Sequence, residues 1–379
     1  MTHETVLTNA ILVLRDATLF GTIVMHGRTI ADMQTGSSRV AGAIDMDGDY
    51  VIPGVVDVHT DNLERQVQPR SLARWPSRSA MVAHDAQCAA AGVTTVLDAL
   101  CLGDLGFDKD RIQTFQDGVV DLDALTAAGL LKSDHFLHLR CEVPAEGVLE
   151  LLDPVADHPL VRMISLMDHS PGVGQYADMD FYRKLRRQGG LDEATLERRI
   201  GEMQAQRVRL RDANRRALLD RVRGTSIALA SHDDRTEEEI AENAADGIRI
   251  SEFPVSMIAA VAAKKAGMEV IAGAPNIVRG GSHSGNVAAA DLLQAEAVDA
   301  FASDYVPSSL VEAAFQCARE KGINLPQAIA MISDHPARMS GLPDRGRLEN
   351  GLRADVVRVR LHGSLPIVRQ VWRAGERII

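Results

Sequence analysis

Eight short apolar segments recur through the middle of the chain, and each is followed by a stretch with helical patterning. Such alternation is typical of a parallel sheet whose strands are connected by helices. Eight repeats within about 250 residues match a (β/α)8 TIM-like barrel. A doubly wound open sheet would show the same alternation and is the structural alternative. The strand candidates begin at Val55, Thr94, Phe136, Val161, Ser226, Gly247, Met268 and Val298.

The two ends of the chain differ in pattern from the middle. Residues 1–52 and 345–379 contain short β-branched segments broken by glycine and Asp-Gly turn signals. We therefore expect an α/β protein in which both termini build one small β-sandwich domain beside a barrel of residues 53–344. Apolar residues at helical spacing also predict a helical insertion at about residues 170–225, between the fourth and fifth strands.

Composition and charge exclude several classes of function. A net charge of −11 and an aromatic content of 4% argue against nucleic-acid and anionic-membrane partners. The four cysteines show no CxxC spacing, which indicates neither a disulfide framework nor a thiolate zinc site. No secretory signal and no apolar stretch of the ~18 residues that span a bilayer is visible. We expect a cytoplasmic protein that acts on a small molecule, and its Ala-rich helices would permit a homo-oligomer.

Metal-binding residue types stand at the ends of several predicted strands. In a barrel, the carboxyl ends of the strands meet at one mouth, where functional residues cluster. His59 and Asp61 share a face, because residues i and i+2 of a strand do so. Imidazole and carboxylate together suit zinc, manganese or iron better than calcium. The sequence therefore predicts one or two divalent metal ions, zinc first with manganese, iron or magnesium as alternatives, held by His59, Asp61, Glu142, His169, His232 and Asp304.

The segment after the seventh strand, GAPNIVRGGSHSGN, is rich in hydrogen-bond donors. Two consecutive glycines leave the backbone uncovered, and neighbouring side chains add a guanidinium and hydroxyl groups. Successive backbone N–H groups of this kind form anion-binding concavities. An ordinary Gly-Ser turn is the plainer interpretation, but the density of donors favours a phosphate site made by Arg279, Gly280, Gly281, Ser282, His283 and Ser284.

Several phrases in the sequence resemble a known family. VIPGVVDVHTDN is similar to the first-strand segment of the amidohydrolase superfamily, usually PG-x-x-D-x-H-x-H, and GRLENGLRADVV resembles that superfamily's return into its small β domain. Within the superfamily, HTDNLERQVQPR, LMDHSPG, ASHDD, ISEFP, RGGSHSGN and SDYVPSSL resemble the alkylphosphonate-utilisation (PhnM) family of the carbon–phosphorus lyase pathway. The resemblance runs nearly end to end.

The resemblance implies a metal-dependent hydrolase of phosphonate catabolism, acting on phosphorus-containing anhydrides. Its substrate would be α-D-ribose 1-methylphosphonate 5-triphosphate, cleaved to the 5-phosphate and pyrophosphate. Asp304 would be the catalytic residue that orients the attacking water and takes its proton. Two departures from the superfamily stand out. Asp61 replaces the usual second histidine, and no histidine follows the sixth strand. Either the strand count is shifted by one or Glu252 replaces that histidine; Glu142 would be the bridging ligand.

Two other functions fit parts of the pattern. One is an amidohydrolase in the literal sense, a cyclic amidase or deaminase that cleaves a C–N bond. The Arg-Gly-Gly-Ser-His segment favours phosphates over the heterocycle that such an enzyme would bind. The other is a catalytically silent assembly subunit, for which the replacement at Asp61 is the one argument. The remaining ligand types weigh against it.

Overall fold

The structure is a computed structural model that describes residues 4–70, 73–105, 109–188, 190–282 and 284–379. Its first five strands come from the N-terminal segment, where β-branched and aliphatic residues alternate with polar ones. They are β1 (Glu4–Val13), β2 (Thr18–His26), β3 (Thr29–Thr35), β4 (Ile44–Asp45) and β5 (Tyr50–Pro53).

The next eight strands within the described residues form one parallel sheet, ordered by sequence from first to last. The bridge between Thr60 and Asp304 joins the first strand to the end of the last, so that the sheet curves into a nearly closed barrel. The predicted barrel is confirmed, and the doubly wound open sheet is wrong. The barrel strands are β6 (Val55–Thr60), β7 (Val93–Leu102), β8 (Asp134–Glu142), β9 (Val161–Met167), β10 (Ala228–His232), β11 (Ile250–Glu252), β12 (Glu269–Gly273) and β13 (Ala300–Ala302).

Three C-terminal strands join the N-terminal ones, as predicted: β14 (Val356–His362), β15 (Leu365–Arg373) and β16 (Glu376–Arg377). The resulting sheet has the order β16-β15-β14-β5-β1-β2-β3, with β4 beside β1. Most of its neighbours are antiparallel, whereas β1 runs parallel to β4 and β5. Because β5 ends at Pro53 and β6 begins at Val55, this sheet leads directly into the barrel.

Helices follow the barrel strands, and local capping explains where several of them begin. Thr236 and Glu239 form a capping box, and Ser256 accepts the N–H of Ala259. The described helices are α1 (Asn62–Val67), α2 (Ser77–Ala90), α3 (Lys109–Ala127), α4 (Val148–Leu152), α5 (Met179–Gln188), α6 (Glu193–Val222), α7 (Glu237–Ala245), α8 (Met257–Lys265), α9 (Ala274–Arg279), α10 (Ala289–Gln294), α11 (Ser309–Glu320), α12 (Leu325–Ala330) and α13 (Asp334–Met339). Helices α5 and α6 occupy the excursion after the fourth barrel strand. In the described ranges, no helix is both long and apolar enough to cross a membrane.

A buried polar cluster connects α2 with the second and third barrel strands. His135 Nδ1 donates to Asp98 at 2.8 Å, and its Nε2 donates to Asp85 at 3.2 Å. His84 Nε2 donates to the other oxygen of Asp98 at 2.7 Å. Burial alone would lower the pKa of His135, but the charge of Asp98 overrides it and raises that pKa to about 10. The cluster therefore holds a buried imidazolium between two carboxylates.

Replacement of His135 by glutamine should destabilise the fold in a pH-dependent way. Removing one partner of a buried ion pair costs about 3–5 kcal/mol. Because the folded-state pKa is raised, this stabilisation is complete below the unfolded pKa of about 6.5 and is lost as the pH rises through about 10. The free energy of unfolding of wild type and variant can be measured with urea at pH 6.5 and at pH 10. The wild type should exceed the variant by more at pH 6.5 than at pH 10. The exposed His362→Gln variant is the control, and equal differences at both values of pH would contradict the ion pair.

Candidate active site

A cavity of about 410 Å³ opens at the carboxyl ends of the barrel strands. Most residues that the sequence predicts for the site line this cavity. Gly280 caps α9 in the left-handed conformation, with φ 78°, and lies beside the lining residues. His283 lies outside the described residues. The predicted residues that line the cavity are His59, Asp61, Glu142, His169, His232, Asp304, Arg279, Gly281, Ser282 and Ser284.

Three histidines at the mouth are oriented by two buried glutamates. His59 and His232 donate their Nδ1 hydrogens to the two oxygens of Glu252, at 2.7 and 2.8 Å. His169 donates its Nδ1 hydrogen to Glu142 at 2.7 Å, and the backbone N–H of His169 donates to the other Glu142 oxygen at 2.8 Å. A glutamate on Nδ1 fixes the ring and leaves Nε2 as the coordinating atom, as carboxylates do behind metal-bound histidines.

The Nε2 atoms face aspartate carboxylates across short gaps. His59 Nε2 lies 3.5 Å from Asp61 Oδ1. Asp233 Oδ2 lies 3.6 Å from His169 Nε2 and 3.8 Å from His232 Nε2. Among the described residues, ligand atoms within 4.8 Å of one another define four groups that could hold a metal ion, and one of them is the His84, Asp98 and His135 cluster described above. The three groups at the barrel mouth overlap: His59, Asp61 and Asp304; His169, His232 and Asp233; and His59, His232 and Glu252.

Two of these atoms are buried without a hydrogen-bond partner in the described part of the chain, namely His169 Nε2 and Asp233 Oδ2. Buried polar atoms normally have a partner, and unpaired ones require an explanation. A divalent cation between the imidazole nitrogen and the carboxylate oxygen would satisfy both atoms. Since mixed nitrogen and oxygen ligands suit zinc, manganese and iron, the donor set fits the predicted kind of ion.

Asp304 combines an unusual backbone conformation with a shifted pKa. Its φ of 54° is left-handed, which is uncommon for any residue other than glycine. Its N–H donates to the carbonyl oxygen of His59 at 3.0 Å, and its carbonyl accepts the N–H of Asp61 at 2.6 Å. Burial and then the charge of Asp61 raise the pKa of Asp304 to about 6. The barrel closure thus places this carboxyl beside the first-strand residues.

The donor-rich segment comprises α9 and the residues that lead from it toward α10. Gly281 N–H donates to the Asn276 carbonyl at 2.9 Å, and Asn276 Oδ1 accepts the Ala289 N–H at 3.0 Å. The Ser284 N–H donates to Ser282 Oγ at 3.2 Å. These bonds shape the segment, whose Arg279, Gly281, Ser282 and Ser284 border the cavity. It offers hydroxyl groups and a guanidinium to an anion beside the histidine and aspartate groups.

Asp233 and Arg140 also belong to the site, although the predicted ligand set does not include them. Asp233 follows His232 directly, in the polar, metal-competent run His232-Asp233-Asp234 at the end of the fifth barrel strand. The left-handed φ of 58° at Asp233 breaks the strand and turns this carboxylate into the cavity. Arg140 NH1 donates to Asp61 Oδ1 at 2.7 Å. Its position two residues before Glu142 was a usable signal, since the two side chains share a strand face.

Solved structures with similar folds have low sequence identity to this chain. N-isopropylammelide isopropylaminohydrolase from Burkholderia multivorans has a TM-score of 0.65 at 16% identity, with 100% of this chain and 98% of that one covered. N-acetyl-D-glucosamine-6-phosphate deacetylase from Mycobacterium smegmatis has a TM-score of 0.65 at 16% identity, with 99% of each chain covered. The chain therefore shares the fold of these two proteins.

The sequence comparison identifies the family. No protein-family model matches the chain. The chain is 39% identical over 377 residues to the alpha-D-ribose 1-methylphosphonate 5-triphosphate diphosphatase of Escherichia coli (strain K12), covering 98% of this chain and 100% of that protein. It belongs to this family of diphosphatases. The family expected from the sequence is confirmed, and so is the hydrolase class.

Proposed function

We propose that the protein hydrolyses α-D-ribose 1-methylphosphonate 5-triphosphate to the 5-phosphate and pyrophosphate. The observation that carries this is the meeting of three oriented histidines and three aspartates beside a donor-rich segment at one barrel mouth. The activity in the name of the Escherichia coli relative supports the same substrate. The cavity of about 410 Å³ is within the range of small-ligand sites.

One or two divalent metal ions, zinc first, would be held by the Nε2 atoms and the aspartates. When bound, such ions supply positive charge to phosphate oxygens and lower the pKa of water from 15.7 toward about 7. The ligands would be His59, Asp61, His169, His232, Asp233 and Asp304. Both oxygens of Glu142 accept hydrogen bonds from His169, so we assign to Glu142 an orienting role in place of the predicted bridging one. Glu252 orients the other two rings.

In the reaction, Asp304 would accept the proton of the attacking water. Burial and the charge of Asp61 raise the pKa of its carboxyl to about 6, closer to neutrality than that of an ordinary aspartate, and a general base is most effective when its pKa lies near the operating pH. Water would attack the phosphorus nearest the ribose, and pyrophosphate would leave. Arg279 and the hydroxyls of Ser282 and Ser284 would bind the departing phosphates, for which a guanidinium offers two parallel hydrogen bonds.

Arg279→Ala should weaken the use of the triphosphate far more than the binding of the monophosphate product. Loss of a charge-assisted contact should lower kcat/KM about 30-fold, because only the triphosphate carries the outer phosphates. Product inhibition by the 5-phosphate should change less than about threefold on the same argument. Steady-state kinetics check both. Equal losses for substrate and product would show that this segment does not bind the outer phosphates.

The proposed function is tested by a phosphorus NMR time course with metal-reconstituted protein and the triphosphate substrate. Pyrophosphate appearing together with the 5-phosphate is the expected result. Stepwise release of orthophosphate would mean a phosphatase with a different position of attack. No turnover with metal bound would point to C–N bonds in cyclic amides, and no turnover without bound metal would favour an assembly subunit.

A further inference from the structure

A second group of arginines lies across the barrel mouth from Arg279. Arg140 is on β8, the third barrel strand, whereas Arg279 ends α9, which follows β12, the seventh. These strands are four places apart in the order of eight, so they face one another across the mouth. Arg111 and Arg186, from the segments after the second and fourth barrel strands, line the same cavity. We name Arg111, Arg140 and Arg186 the arginine wall.

Two members of the wall are held in place by neighbouring groups. Arg140 is buried, and its NH1 donates to Asp61 at 2.7 Å. Arg111 lies 3.2 Å from Glu64 through its Nε, and its NH1 lies 3.8 Å from Cys101 Sγ. Both guanidinium groups are therefore oriented before any ligand arrives. Preorganised donors of this kind cost little to order on binding.

The third member is fixed by aromatic rings. The guanidinium carbon of Arg186 lies 5.6 Å from the ring centre of Tyr176 and 5.0 Å from that of Tyr182. Both distances are within the range of cation–π contacts, which hold the guanidinium against the two rings. Tyr176 also lies against His169, with ring centres 5.9 Å apart. Arg186 is thereby positioned close to the proposed metal ligands.

Apolar groups are interspersed with these cations. Cys101, Leu105 and Met203 line the cavity beside the arginine wall. Burial raises the pKa of the Cys101 thiol, so the sulfur stays neutral. A methylphosphonate ester has two oxygens that share a negative charge and one methyl group on the same phosphorus. A wall with both guanidinium and apolar groups matches both features, whereas a phosphate ester would place a third oxygen against the apolar groups.

We propose that the arginine wall binds the methylphosphonate group, at the end of the substrate opposite the triphosphate. Arg111 and Arg186 bind the phosphonate oxygens, and Cys101 and Met203 contact the methyl group. This assignment rests on the proposed function. In the barrel order, the histidines and aspartates stand at the first, fourth, fifth and eighth strands, on either side of the line from the third strand to the seventh. A substrate anchored at both anionic ends would therefore have its scissile phosphate beside them.

The test compares two substrates in two variants, Arg111→Gln and Arg186→Gln. Pyrophosphate release is measured with the methylphosphonate substrate and with ribose 5-triphosphate, which lacks the phosphonate. We expect kcat/KM for the first to fall about 30-fold and that for the second to change less than about threefold. Arg198→Gln, exposed on α6, is the matched control and should change neither value. Calorimetric binding of methylphosphonate itself should weaken in the two wall variants alone.

The outcomes separate this inference from the proposed function. Equal losses for both substrates, with unchanged binding of methylphosphonate, would overturn the role of the arginine wall. If Arg279→Ala alone lost the preference for the phosphonate substrate, the assignment of the two substrate ends would be reversed. The methylphosphonate group would then lie at Arg279, and the triphosphate at the arginine wall. If the wild-type protein releases pyrophosphate from neither substrate, the proposed function is refuted. The calorimetric measurement would then show, independently of activity, whether the arginine wall binds methylphosphonate.

Discussion

Asp304→Asn is expected to lower kcat about a thousandfold while the bound metal is retained, within the 10²–10⁴ range for a general base. An amide cannot accept the proton of the attacking water, but its oxygen can still coordinate a cation. The variant should fold, because asparagine tolerates the left-handed φ of 54° at this position. The backbone hydrogen bonds to His59 and Asp61 involve only main-chain atoms and are kept.

The measurement combines kcat at saturating substrate with the metal content of the same preparation. Asp168→Asn is a suitable control, since Asp168 lies at the same edge of the barrel but pairs with Arg207 at 2.6 Å. It should change kcat less than about threefold, as expected for a partly exposed pair. Full activity in Asp304→Asn would remove Asp304 as the base. Loss of metal would show that its main role is coordination.

The barrel could be predicted because each strand carries its own apolar signal. The fourth strand, Val161–Met167, coincides with the apolar segment predicted from Val161. The sixth strand is only Ile250–Glu252 and is shorter than the predicted segment from Gly247. Apolar runs show that a strand exists, but hydrogen bonding to both neighbours decides where it ends. The pairing of β5 with β14 has no local signal, because it joins segments about 300 residues apart.

The site was predictable as a set of residue types and less so as a set of roles. Both metal coordination and the orientation of a histidine require a carboxylate, so sequence alone cannot separate Glu142 from Asp304 in function. The structure distinguishes the two residues, because both oxygens of Glu142 accept hydrogen bonds from His169. For Glu252, the sequence left open whether the strand count was shifted. The count is correct, and Glu252 stands at the end of the sixth strand.

Glu252→Gln is expected to lower the affinity for divalent metal about a hundredfold or more. Removing a partner that orients a metal-bound histidine typically costs 10–100-fold in affinity. Glu252 is fully buried and accepts from both His59 and His232. Glutamine has one acceptor oxygen, and its NH₂ group would face the Nδ1 hydrogen of the second ring. One of the two rings must then turn or change tautomer, so its Nε2 is no longer presented to the metal.

Glu142→Gln is the matched comparison, because Glu142 orients one histidine instead of two. Its metal affinity should fall about tenfold, the lower end of the same range. Competition with a chromophoric chelator measures both affinities, and thermal unfolding of the metal-free proteins checks that each variant is folded. Activity should return in each at high metal concentration, because the ligands remain. Equal effects in the two variants, or activity that excess metal does not restore, would mean that Glu252 acts in some way other than by holding two rings.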